Sequence, residues 1–138
     1  MAVSESAPVV AVINMNIEIV DMLRMALSDA GFRTVGKTIP ELEHGDQSLL
    51  AFLDEHNPQV VIYDVSPPYP RNWERFQIAR EVEVFKGRPV MLTTTDPGTL
   101  EQLVGPTEAL QVFSKPFDMD KLLDAVHAAT TGTEPQPA

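Results

Sequence analysis

Val60-Val61-Ile62-Tyr63-Asp64-Val65-Ser66-Pro67-Pro68 is the stretch on which the fold turns. Three β-branched residues and a tyrosine run straight into a carboxylate, with Pro58 before them and Pro67, Pro68 and Pro70 after. A short apolar run of β-branched and aromatic residues between prolines reads as a buried strand. It is apolar at every position rather than at alternate ones. Both of its faces are therefore covered, as in a parallel strand between two helical layers. Open parallel sheets gather their ligands at the carboxyl edge of the strands, which is where Asp64 stands.

The pattern repeats on either side. Val9 to Ile13 is a second apolar run, followed by Asn16 as a helix cap and Glu18 in the first turn, where the helix dipole favours an anion. Val20, Leu23, Leu27 and Ala30 recur at helical spacing until Gly31 stops the helix. Residues 32–37 predict a short strand. Residues 38–45, with Pro40 and a cluster of acids, predict a loop, and residues 46–56 a helix. After Asp64 the prolines predict a stiff loop. Asn72 then caps a helix running to Phe85, with Trp73, Phe76, Ala79 and Val82 on its packing face. Residues 89–95 predict a strand. Asp96-Pro97 opens a short helix to Val104, with proline at its first position. Residues 110–114 predict the last strand, and Asp118 caps a helix that buries Leu122, Leu123, Val126 and Ala129.

Strands thus alternate with helices five times. This predicts an α/β fold, a flavodoxin-like, doubly wound parallel sheet of five strands in the order 2-1-3-4-5 with helices on both faces. Strand one is expected at its centre. A single domain is expected over residues 8–132, with flexible termini at 1–7 and 133–138.

Composition excludes several functions. A net charge of −10 argues against nucleic acid, whose phosphates call for clustered Lys and Arg. With no cysteine there is no disulfide, thiolate nucleophile or Cys-based metal site. No apolar run approaches membrane-spanning length, and residues 1–8 lack a signal-peptide core, so a cytoplasmic protein is expected. His44, His56 and His127 show no ligand spacing.

Three strand ends carry chemistry. Asp64 ends strand three, Thr94 lies near the end of strand four, and Lys115 follows strand five ahead of Pro116-Phe117. Brought together at the carboxyl edge, they suit phosphoryl transfer. The carboxylate is the nucleophile, the hydroxyl donates to a phosphoryl oxygen and the ammonium stabilises developing charge.

Asp64 with Pro68 four residues on, Thr94, and Lys115-Pro116-Phe117, in that order and on those element ends, resemble the receiver domain of two-component response regulators from Pro8 to Thr130. The resemblance implies a phosphorelay signalling domain rather than an enzyme. Asp64 is then the phospho-acceptor, and the phosphoryl donor is a sensor histidine kinase or a histidine phosphotransfer protein. It also implies a cis Lys115-Pro116 bond, and a homodimer through the helix at 96–104, the last strand and the last helix. With no output domain after the last helix, the chain is expected to signal alone, by docking.

Receiver domains usually end strand one with two acids that hold magnesium. Here Asn14 and Met15 stand in their place. Of the implied metal site, Asp64 and the backbone carbonyl of Ser66 remain, with Asn14 as a degenerate third ligand. An amide brings no charge, and a thioether is one that hard cations avoid. Mg2+ binding is therefore expected to be weak or lost, and phosphorylation slow or absent. Glu41, Glu43 and Asp46 lie on the same edge and offer replacement acids, although a solvated acidic loop is the simpler reading. Val112 and Phe113 depart from the usual aromatic switch position three residues before the lysine.

Two alternatives stand beside this reading. One is a pseudo-receiver, an interaction module independent of phosphorylation. The other is a small α/β phosphoryl-transfer enzyme. The latter lacks a glycine-rich loop after strand one, and Ser66 stands where a second catalytic acid would follow Asp64.

Overall fold

A computed structural model describes residues 6–45, 47–83, 85, 87–94, 98–99, 102, 110–114 and 119–131, with residues 44, 110–114 and 131 described by backbone alone. In chain order the elements are β1 (Val9–Asn14), α1 (Ile17–Asp29), β2 (Arg33–Thr38), α2 (Ile39–His44), α3 (Leu49–His56), β3 (Val60–Asp64), α4 (Tyr69–Arg80), β4 (Val90–Thr94), β5 (Leu110–Ser114) and α5 (Met119–Thr131). The strands form one parallel sheet in the order β2-β1-β3-β4-β5, as the alternation predicted, with β1 between β2 and β3.

Successive strand residues point to opposite faces, and the two faces have separate cores. Ala11, Ile13, Val61, Val90 and Leu92 pack with Leu53 of α3 and with Tyr69, Trp73 and Phe76 of α4. Val10, Val12, Val60, Ile62 and Met91 pack with Val20, Leu23 and Leu27 of α1 and with Leu122 and Val126 of α5. Phe76 is fully buried and meets the rings of Tyr63, Trp73 and Phe85 at 4.8, 5.5 and 5.6 Å. Burial of such a side chain stabilises a fold by roughly 1.5–3 kcal/mol. Gly36 lets α1 close on β2, since a Cβ there would stand 2.6 Å from Val20 Cγ1.

Several boundaries differ from those predicted. Residues 39–44 are helical, not a loop. Thr38 and Glu41 form a capping box and Pro40 sits in the first turn, where its missing N–H costs nothing. The next helix begins at Leu49, capped by Ser48, rather than at residue 46. The helix after β3 begins at Tyr69, with Pro68 at its N-cap and no capping side chain. Asn72 is therefore not a cap but lies within its first turn. That helix ends at Arg80 rather than Phe85, and Val82 is exposed instead of packed. Ala7, assigned to a flexible terminus, accepts a hydrogen bond from Arg33 Nε at 2.7 Å. The helix expected over 96–104, the Asp118 cap and the Lys115-Pro116 bond lie outside the described residues, wholly or in their deciding part. A cis peptide bond occurs at Pro67-Pro68.

Candidate functional site

Asp64 is buried at the carboxyl end of β3, and each of its oxygens accepts from a hydroxyl. Thr93 Oγ1 donates to Oδ1 at 2.8 Å and Ser66 Oγ to Oδ2 at 2.6 Å. Thr93 is the residue directly across the β3–β4 ladder from Asp64. Thr94, one place on, faces the other side of the sheet, where its hydroxyl donates to Tyr69 Oη at 3.1 Å. Of the two threonines, the structure brings Thr93 rather than Thr94 to the carboxylate, and alternation along the strand is the reason. Lys115 lies outside the described residues.

Asn14, buried at the end of β1, stands one place beyond the Ile13–Tyr63 pair, and so beside Asp64 on the neighbouring strand. Its Oδ1 accepts from the Asn16 backbone N–H at 3.0 Å, which fixes the amide orientation. Its Nδ2 is buried with no hydrogen-bond partner among the described residues. The Ser66 carbonyl accepts from Asn72 Nδ2 at 2.6 Å.

Receiver domains typically hold magnesium in an acidic pocket. The residues here do not fit that ion. Asp64, the Ser66 carbonyl and Asn14 Oδ1 already accept from protein donors, and a buried N–H is left where an acid would offer lone pairs. Among the described residues no group of three His, Cys, Asp or Glu converges. The acids after β2 have partners of their own. Glu41 closes the Thr38 cap, whose side-chain hydrogen bond holds its carboxyl below the usual range. Glu43 pairs with Arg75 at 2.7 Å. Asp46 lies outside the described residues.

A cavity of about 400 Å³ opens beside Asp64, lined among others by Met15, Glu43, Tyr63, Arg71, Asn72 and Arg75. Burial, and then the Glu43 carboxylate, push the Tyr63 phenol up to about 12, so it stays protonated. Arg71, Asn72 and Tyr63 were not singled out as site residues from sequence. On a helix face or within a strand they carry no motif, and only the docking of α4 against the carboxyl edge gathers them.

No protein-family model matches the sequence, and no curated protein does either. Among solved structures the chain is similar to the chemotaxis response regulator CheY4 of Vibrio cholerae, at 22% identity and TM-score 0.66, covering 90% of this chain and 99% of that one. It is similar to the Francisella response regulator 1452 receiver domain at 20% identity and TM-score 0.70, covering 92% and 99%. It is also similar to the anti-anti-sigma factor PhyR from Bartonella quintana at 15% identity and TM-score 0.69, covering 94% of this chain and 49% of that one. The fold is that of a receiver domain. At these identities the likeness is one of backbone, and the pocket of this receiver fold is judged on its own residues.

Proposed function

We propose that the chain is an atypical receiver domain that acts in a cytoplasmic phosphorelay by docking partner proteins, with Asp64 as its phospho-acceptor. The observation that carries this reading is the buried Asp64 carboxylate at the end of β3, held by Thr93 and Ser66 and opening on a cavity at the carboxyl edge. On this reading a sensor histidine kinase or a histidine phosphotransfer protein supplies the phosphoryl group. Lys115 assists at the pocket, where Thr93 rather than Thr94 meets the carboxylate, and a homodimer forms through the region of residues 96–104, β5 and α5.

A second reading, a docking module independent of phosphorylation, is favoured by the orphaned Asn14 amide, which removes the fit to magnesium. Intact mass after incubation with acetyl phosphate, with and without magnesium, separates the two. The acceptor reading expects one added phosphoryl group on the wild type and none on Asp64→Asn. A wild type left unmodified under both conditions moves the assignment to the phosphorylation-independent module.

A further inference from the structure

The cavity beside Asp64 has the hydrogen-bonding polarity of an anion site. A divalent cation needs oxygen lone pairs and negative charge. Here the oxygens of the expected metal face already accept hydrogen bonds from the protein, and of the two carboxylates that line the cavity, Asp64 and Glu43, the second is paired with Arg75. What is left unspent is donors. Arg71 lines the cavity and makes no hydrogen bond or ion pair with any described residue. Arg75, one turn further along α4, is neutralised by Glu43, so the two arginines are not equivalent. Tyr63 lines the same cavity.

We propose that this cavity is an oxyanion site that works without a divalent metal, with Arg71 supplying the positive charge beside Asp64. The forked guanidinium suits a tetrahedral phosphate, which it engages through two parallel N–H groups. The inference rests on the acceptor reading only for the identity of the oxyanion, a phosphoryl group. In that step an Asp64 oxygen attacks phosphorus. The phosphorus–nitrogen bond of a phosphohistidine, or the phosphorus–oxygen bond of an acyl phosphate, breaks, and the leaving group keeps the electron pair. Arg71 then offsets the charge on the phosphoryl oxygens that magnesium would otherwise offset.

Inorganic phosphate titrated into the full chain in the presence of EDTA is the test, followed by 1H–15N NMR of the Arg71 Nε–H and the Asn72 side-chain amide. Saturable shifts of both are expected without magnesium. Loss of a charge-assisted contact in Arg71→Gln should weaken binding by roughly tenfold or more. Arg80→Gln, which removes a guanidinium stacked 5.9 Å from the Phe76 ring and outside the cavity, should bind as the wild type does. No saturable shift in EDTA, a requirement for magnesium, or equal binding by Arg71→Gln in a chain that keeps its Trp73 emission would overturn the proposal. Acetyl phosphate labelling reads the acceptor separately. Phosphate binding without labelling supports the oxyanion site and removes Asp64 as acceptor.

Discussion

At position 14 an amide nitrogen stands where an acid would place an oxygen, so a buried lone pair becomes a buried N–H. The Asn16 backbone N–H holds the amide in the orientation that leaves this donor unpaired. An unsatisfied buried donor is costly. The adjacent threonines divide labour by the same local logic. Thr93 supports the carboxylate and Thr94 supports Tyr69. Thr93→Val should leave Asp64 Oδ1 short of a donor and lower stability by about 1–3 kcal/mol in urea unfolding. Thr94→Val removes a hydrogen bond to a neutral hydroxyl instead of to a charged oxygen and should cost less. A greater loss on Thr94→Val would show that the carboxylate does not depend on Thr93.

Element boundaries were less legible than the elements themselves. Apolar runs located β1 and β3, the alternation with helices placed the other strands, and helical spacing located α1 and α5 closely. Pro40 and its neighbouring acids suggested a loop, yet proline is acceptable in a first helical turn, and Thr38-x-x-Glu41 was the overlooked signal. At α4 the Pro67-Pro68 pair and the capping propensity of Asn72 misplaced the start, because the Asn72 side chain was already committed to the Ser66 carbonyl. The α2 cap makes its own prediction. Thr38→Ala should cost about 1 kcal/mol. The Thr38 hydrogen bonds lower the folded pKa of Glu41, so this contribution is fully present above the unfolded value and lost as pH falls through the folded one. The difference in urea midpoint between wild type and Glu41→Gln should be present at neutral pH and close in acid. A difference that widened in acid would contradict the cap. The exposed ion pair of Glu41 with Lys37, at 3.6 Å, adds little.

For the whole molecule, strand-helix alternation and the apolar runs of the inner strands made the parallel sheet legible, because burial on both faces leaves that mark there and not on the edge strand β2. The position of Asp64 at its edge was equally legible. The roles of Thr93, Arg71 and Asn72 were not, since they follow from register and from helix docking rather than from local pattern. No helix among the described residues is long and apolar enough to cross a membrane. A receiver fold with Asn14 and Met15 in place of two acids should not hold magnesium. Calorimetric titration of magnesium into the wild type and into the Asn14→Asp, Met15→Asp double variant measures this. The two added acids rebuild a hard, oxygen-rich site, so saturable binding is expected in the double variant and none in the wild type. Tight binding by the unaltered chain, equal to that of the double variant, would show that the pocket still holds the cation.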